Sequence, residues 1–379
     1  MKKIILFIVG LMIFPSIIKA EDLNLTPEAK SSIMIEASTG EMIYEKNSKE
    51  KLAPASMTKI MSLIIIMENI EKGNLKWDEM ITISENASSM GGSQIFLETG
   101  EQMSVRDLVK GICIASGNDA TYALAERISG TEEMFVKLMN DKAKELGLKN
   151  TNFKNSTGLD AENHYSSAYD MSVMARELIR HEEILEFSGT YEDYLREGTD
   201  KSFWLVNTNK LVRFYQGVDG LKTGFTNTAG YCLTATAKRD NMRIITVVMG
   251  EPSSTVRSKE TTNMLDYAFN IYTVNNVLNK DKVITKAKVS LGDKEYVNVV
   301  PMEDINLLYK KNNDKRDVSY NIKLNDIKAP INKGSIVGKL EIIEDNKSIM
   351  EIVLTINEDV KKVSILKLFY RNIIDIITG

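Results

Sequence analysis

Histidine is almost missing from this chain: 379 residues contain two, His164 and His181. Cysteine is as scarce, with Cys113 and Cys232 alone. No His/Cys cluster is available, so no metal centre and no cofactor is expected. A Ser-His-Asp triad has poor material to draw on, since both histidines sit in ordinary settings. The two cysteines lie in apolar contexts, "GICIAS" and "GYCLTA". They read as buried free thiols acting as small hydrophobes, with a single disulfide as the alternative outside the cell. A basic surplus is also lacking. Lys and Arg number 48 against 52 Asp and Glu, a net −4, which argues against nucleic acid as a partner. There is no internal repeat and no low-complexity tract.

One apolar run opens the chain. "MKKIILFIVGLMIFPSIIKAEDLNL" has a basic start at Lys2 and Lys3, an apolar stretch from Ile4 to Phe14, and a small residue, Ala20, at which cleavage could occur. The run is short for a spanning helix and reads as an export signal over residues 1–20. Cleavage after Ala20 removes Lys2, Lys3 and Lys19 and takes the formal charge from −4 to −7. Composition of the whole chain, 43% hydrophobic and 26% charged, is that of a globular protein long enough for two or three domains.

Residues 25–275 mix strands at both ends with helices between. "SSIMIEASTGEMIYEK" (31–46) reads as two strands around Ser38-Thr39-Gly40. Helical periodicity runs through 104–116, 130–147, 167–184 (capped by Ser167 or Asp170) and 257–272. "GYCLTATAKRDNMRIITVVMG" reads as a hairpin of buried strands turning at Arg239-Asp240-Asn241. From 283 to 360 short strand-like pieces alternate with turns, which indicates a small all-β domain. Residues 364–379 return to helical period.

"LAPASMTKIMSLIIIM" (52–67) holds the sharpest anomaly. A helix apolar on nearly every face belongs in a core, yet Lys59 sits in its first turn beside Ser56. An ammonium is costly to bury, and the positive end of a helix disfavours it further. Both effects favour the neutral amine, and a neutral amine three residues from a serine can take its proton. The pattern S-x-x-K alone decides little, because it recurs at Ser16, Ser48 and Ser364. Ser56 read by itself could be a helix cap.

Two further stretches change the weight. "IASGNDA" places Ser116 and Asn118 at the end of an apolar helix, 60 residues after Ser56. "VDGLKTGFTNTAG" places Lys222, Thr223 and Gly224 before a strand, 106 residues after Ser116. The ordered set S-x-x-K, S-x-N, K-T-G resembles the signature of penicillin-binding proteins and class A β-lactamases. Longer stretches, among them "NTNFKNSTGLD" and "YSSAYDMSVMA", are similar to the low-molecular-mass D-alanyl-D-alanine carboxypeptidases.

That resemblance implies an α/β (α+β) catalytic domain, with an antiparallel sheet, helices and a helical subdomain. It implies a serine peptidase that removes the last D-alanine from the peptidoglycan pentapeptide and is acylated by β-lactams. Carried over by motif, Ser56 is the nucleophile, Lys59 its base, and Ser116 the proton relay to the leaving D-alanine. Asn118 would bind the peptide amide, Lys222 would supply positive potential, and Thr223 would hold the terminal carboxylate. Gly224 would let the strand approach the substrate, and the N–H groups of Ser56 and Phe225 would form the oxyanion hole. Arg257 falls where the family has a carboxylate-binding arginine; as a bare residue it reads equally as a surface arginine at a helix start. Phe225 and Thr157 stand where some relatives have histidine. His164 reads as exposed.

Two rival functions follow from the same motifs. A class A β-lactamase needs a glutamate to activate its deacylating water. "FKNSTGLDAENHYSSAYD" lacks the E-x-x-L-N pattern, and Glu162 is out of context. A non-catalytic penicillin-binding wall protein is the other rival. The last segment, 364–379, gathers Ile365, Leu366, Phe369, Ile373, Ile376 and Ile377 on one helical face, with Ile374 the exception. At about 24 Å it is too short to span a bilayer and is read as an amphipathic anchor lying on the membrane surface. The expected location is the outer face of the cytoplasmic membrane.

Overall fold

The computed structural model describes residues 23–312, 316–364 and 367. The expected export segment 1–20 lies outside the described residues, as does all of the expected anchor beyond Ser364 except Lys367. Among the described residues no helix is long and apolar enough to cross a membrane.

A five-stranded antiparallel sheet organises the first unit. Across it the strands run Met42–Lys46, Ser31–Glu36, Met242–Glu251, Gly230–Arg239 and Val218–Thr226. The chain's first strand is inserted beside its last long one, Ser31 facing Met249 and Glu36 facing Ile244. The central strands are buried on both faces because helices cover both. Period-2 alternation sends Ile33, Ile35, Ile245, Val247 and Met249 into one core and Met34, Ile244 and Val248 into the other. The second core is closed by Met264, Leu265, Ala268 and Phe269 of the helix Ser254–Ile271.

The larger core surrounds the helix Lys59–Glu71. Its residues Lys59 to Met67 are all buried, which accounts for a sequence apolar on every face. Its neighbours are the helices Asn118–Ser129, Glu132–Glu145 and Ala168–Leu178. Side-chain caps fix the helix starts: Ser104, Thr131, Ser167 and Ser253 each accept from the N–H three residues on. Each such cap contributes about 1 kcal/mol. The expected cap at 167 or 170 is Ser167. The hairpin 230–251 turns at Asp240, whose φ is +51°.

The second unit is all β, with its own core. A six-stranded sheet runs Val318–Leu324, Ile336–Glu344, Lys347–Ile356, Tyr296–Pro301, Thr285–Ser290 and Ile327–Lys328. The strand Tyr272–Leu278 pairs with Ile305–Lys310. It follows the helix Ser254–Ile271 without an intervening residue, so helical period masks where the strand begins. Arg316 ties the units together, donating to Glu41 of the first hairpin and to Glu344 of the β unit at 2.8 and 2.6 Å.

Candidate active site

Ala55–Thr58 form a single 3₁₀ turn ahead of the long helix. Ala55 holds φ +46°, an uncommon conformation for a residue with a Cβ. Gly158 is packed against this turn: a Cβ there would lie 1.9 Å from Ala55 O. Ser56 is half-buried, and the residue preceding the turn, Pro54, provides no side-chain cap.

Lys59 is 0% exposed. Its ammonium nitrogen donates to Asn118 Oδ1 at 2.6 Å, to Thr157 O at 2.8 Å and to Ser56 Oγ at 3.1 Å. These acceptors are all neutral. Burial first, and the charge of Lys222 second, hold the Lys59 pKa well below the ordinary lysine value, with Asp119 opposing. Asp119 is itself occupied, accepting from the N–H groups of Ile95, Leu97 and Ala120. It thereby holds the loop whose Ser93 carbonyl accepts from Asn118 N–H at 2.7 Å. The Asn118 amide is engaged at both ends, since Nδ2 donates to Gly91 O at 2.6 Å. Asn118 therefore orients Lys59 and the cleft wall, a task the motif reading did not give it.

Ser116 ends the helix Val105–Ala115 in left-handed backbone, φ +66°. Its hydroxyl is buried and makes no hydrogen bond among the described residues. Lys222, Thr223 and Gly224 lie within the sheet's edge strand Val218–Thr226, not just before a strand as their residues alone suggested. The pairing runs on to Thr226↔Gly230, so the tripeptide is edge-strand backbone. Lys222 points inward and is 1% exposed. Burial, with Arg257 adding, lowers its pKa to about 7, against an opposing effect from Cys113. Both cysteines are free and buried, and burial pushes Cys113 up to about 12 and Cys232 to about 11.

Thr223 Oγ1 donates to Thr208 Oγ1 at 2.8 Å. Gly224 is needed for close packing: a Cβ would lie 2.7 Å from Pro54 O and 3.2 Å from Ala55 Cβ. Its bare face meets the turn that carries Ser56. Phe225 is half exposed, its ring 4.3 Å from that of Tyr231. Arg257 is not a surface arginine. It is 6% exposed, with Nε unpartnered, because the first turn of its helix faces the cleft.

Ser56, Ser116, Thr223, Gly224, Phe225 and Arg257 line one cleft of about 610 Å³, with Lys59, Asn118 and Lys222 behind its wall. Among the described residues no carboxylate lines it. Lys210 and Arg257 line it and Lys222 stands behind, none in an ion pair with a carboxylate among the described residues, which makes it a receptor for an anion. Ser93, Thr208, Lys210, Phe214 and Tyr231 also line the cleft and carry no motif. Glu162 lies elsewhere, exposed beside Pro54 and Ala161.

His164 is buried, not exposed. Thr58 Oγ1 lies 2.8 Å from its Nε2, and Lys154 N–H donates to Nδ1 at 3.1 Å. The ring thus clamps the loop bearing the Thr157 carbonyl onto the turn that carries Ser56. Burial lowers its pKa to about 4. An unfolded histidine titrates near 6.5. Above pH 6.5 neither state binds the proton; as pH falls toward 4 only the unfolded chain does, so folded stability is lost across that window. The loss approaches roughly 3 kcal/mol. His164→Gln offers a donor and an acceptor but does not titrate. Its Tm should fall less steeply between pH 6.5 and 4 than the parent's; parallel slopes would exclude His164 as the source.

Comparison with known proteins matches residues 18–253 to the family model "D-alanyl-D-alanine carboxypeptidase" of peptidase family S11. Residues 272–362 match "Penicillin-binding protein 5, C-terminal domain". The chain is 53% identical over 353 residues to the D-alanyl-D-alanine carboxypeptidase DacF of Bacillus subtilis, covering 93% of this chain and 91% of that one. Penicillin-binding protein 5 of Haemophilus influenzae superposes with a TM-score of 0.72 at 33% identity, over 88% of this chain and 98% of that one. Penicillin-binding protein D2 of Listeria monocytogenes, solved in its ampicillin-bound form, gives 0.58 at 32% identity over 64% and 98% of the two chains.

Proposed function

The chain belongs to the D-alanyl-D-alanine carboxypeptidase family, and from that premise we propose how its own residues trim a peptidoglycan stem peptide. It is a serine-type carboxypeptidase, and the observation that carries the mechanism is the buried Lys59 nitrogen 3.1 Å from Ser56 Oγ. A neutral amine has two N–H bonds and one lone pair. Asn118 Oδ1 and Thr157 O take the two N–H groups, which leaves the lone pair for the Ser56 hydroxyl proton.

Ser56 Oγ attacks the carbonyl of the penultimate D-alanine as Lys59 accepts its proton. The negative charge on the carbonyl oxygen is met by the N–H groups of Ser56 and Phe225. The C–N bond breaks, the leaving amine takes a proton through the Ser116 hydroxyl, and Lys59 restores that proton. Lys59, neutral again, removes a proton from water as its oxygen attacks the ester, and Ser56 is re-protonated as it leaves. One water is consumed and one D-alanine released. Thr223 and Arg257 receive the terminal carboxylate, and Lys222 supplies charge from behind. A lactamase reading fails on the carboxylate-free cleft, which offers no glutamate to activate water. The test is D-alanine release from a diacyl-tripeptide ending in D-Ala-D-Ala, measured beside β-lactam hydrolysis. Peptide turnover with a slowly released penicilloyl adduct is expected; rapid β-lactam turnover with inert peptide would reverse the assignment.

Peptidoglycan lies outside the cytoplasm, and the mature protein is held there by residues 364–379 on the membrane surface. Six apolar side chains at a third of full burial contribute roughly 3–6 kcal/mol, enough for a reversible anchor. Lys361, Lys362, Lys367 and Arg371 add attraction to anionic lipid. Deleting 364–379 should move the enzyme from the membrane to the soluble fraction with activity intact. A truncated protein still bound would transfer the anchor to an uncleaved N-terminal segment.

A further inference from the structure

The two N–H groups given to the oxyanion hole come from different elements. Ser56 belongs to the turn Ala55–Thr58, and Phe225 to the edge strand Val218–Thr226. An edge strand is hydrogen-bonded to a neighbour on one side only, and this one ends one residue past Phe225. Packing of Gly224 on Pro54 O and Ala55 limits how closely strand and turn approach. It does not limit how far they separate. One loop supplies that limit. Residues 155–164 grip the turn at three points: Gly158 packs on Ala55 O, Thr157 O accepts from Lys59, and His164 bonds Thr58. The loop is itself stiff. Asn155 Oδ1 accepts from the N–H groups of Thr157 and Gly158, Asn155 Nδ2 donates to Leu159 O, and Glu132 accepts from the N–H and hydroxyl of Ser156. From this loop Asp160 reaches across to the strand. Thr226 Oγ1 donates to Asp160 Oδ1 at 2.8 Å, and Thr228 Oγ1 donates to Oδ2 at 2.9 Å. Thr226 Oγ1 also accepts from Ala229 N–H at 3.0 Å. The carboxylate therefore straddles the turn that follows Phe225.

We propose that Asp160 is a positioning residue that fixes the width of the oxyanion hole by tethering the strand of Phe225 to the loop that holds the turn of Ser56; this rests on the carboxypeptidase reading above. Oxyanion donors act only when held about 2.7–3.1 Å from the oxygen as its charge develops. A strand end free to drift outward would lose one donor in part. Hydroxyl bonds to a carboxylate are roughly twice as strong as neutral ones, and two of them to one group fix its orientation. The oxyanion forms twice, once when Ser56 attacks and once when water attacks the ester. Loosening the hole should therefore slow both steps alike. Capture of the terminal carboxylate should not change, because Thr223 is bonded separately to Thr208. Asp160 is exposed, so replacing it leaves the core intact.

The full-length enzyme is compared with Asp160→Ala, Asp160→Asn and Thr228→Val. Rates are taken per active site, counted by penicillin titration, so that misfolded protein does not contribute. Asp160→Ala should slow penicillin acylation and acyl-enzyme hydrolysis by about tenfold each, a change of about 1.4 kcal/mol per step. KM for the diacyl-tripeptide should stay within about twofold. The pH profile should keep its shape, because Lys59 and Lys222 keep their surroundings. Asp160→Asn should recover most of the loss, since its amide accepts from one threonine and donates to the other. Thr228→Val, which keeps one tether, should fall between. Infrared difference spectra of the penicilloyl-enzyme read the hole directly. The ester carbonyl band should lie below that of a free ester in the parent and move up toward it in Asp160→Ala. Parental rates with an unmoved band overturn the proposal. So does a fall in one step alone, a loss confined to the number of active sites, or an Asp160→Asn variant as slow as Asp160→Ala. Should the parent release no D-alanine from peptide, the carboxypeptidase reading fails, and the penicilloyl carbonyl band still decides the role of Asp160 separately.

Discussion

Ser56→Ala, treated with penicillin and weighed intact, is expected to show the mass of the free protein alone. The parent under the same treatment should gain one penicilloyl group. The β-lactam amide resembles the D-Ala-D-Ala bond, so the drug meets the same nucleophile, base and backbone donors as the peptide. Among the hydroxyls lining the cleft, only Ser56 Oγ has the Lys59 nitrogen within hydrogen-bond distance. Ser116 has a free hydroxyl but no such base in contact. Thr223 and Thr208 bond each other. Removing the nucleophile should also lower peptide turnover by about 10⁴-fold or more. The fold should survive, because the Ser56 side chain caps no helix and accepts only from Lys59. An adduct of undiminished yield on Ser56→Ala would move the nucleophile to another residue, with Ser116 the first to examine.

The contact between Ser56 and Lys59 was legible because its oddity is local. A lysine in an all-apolar helix conflicts with its surroundings, and such conflicts mark function. Ser116 and Lys222 became legible only through the order of three short motifs, since each by itself reads as an ordinary turn. What stayed hidden is what depends on tertiary contact. The Thr157 carbonyl is backbone and leaves no side-chain trace. His164 and Arg257 look like surface residues in a linear reading, and only tertiary packing buries them, His164 against the turn that carries Ser56 and Arg257 beside the cleft. The bonds of Asn118 to the carbonyls of residues 91 and 93 were hidden in the same way, because those partners lie far off in sequence. The same limit applied to the fold. Strong period-2 segments such as 230–251 were read with their turn, while Tyr272–Leu278 was lost behind the helix it continues. Lys222-Thr223-Gly224 was read from its residues as lying just before a strand, while the family resemblance set Gly224 on an edge strand. The structure makes it a strand edge, since Gly224 must lie flat on Ala55.

Lys59→Arg tests the other half of the pair, and its expected effect is a fall of about 10²–10⁴ in acylation rate, the usual contribution of a positioned base. The substitution keeps the positive charge and, by its length, can still reach Ser56. It removes the capacity to be neutral, because a guanidinium stays protonated in proteins. If Lys59 acted only as a fixed cation, arginine would serve. The pH profile separates the two cases. In the parent, acylation should rise with pH through the depressed Lys59 pKa, because the lysine becomes a base on losing its proton. At higher pH the empty cleft loses charge as Lys222 titrates near 7, so capture of the substrate carboxylate should weaken and kcat/KM decline. The arginine variant should lack the rising limb, since nothing at that position titrates. A melting curve near the parent's would assign the loss to chemistry, as a bulkier cation at a fully buried site could also disturb packing. Acylation at a near-parental rate, with the rising limb kept, would remove Lys59 as base and leave Lys222 or a water molecule to take the Ser56 proton.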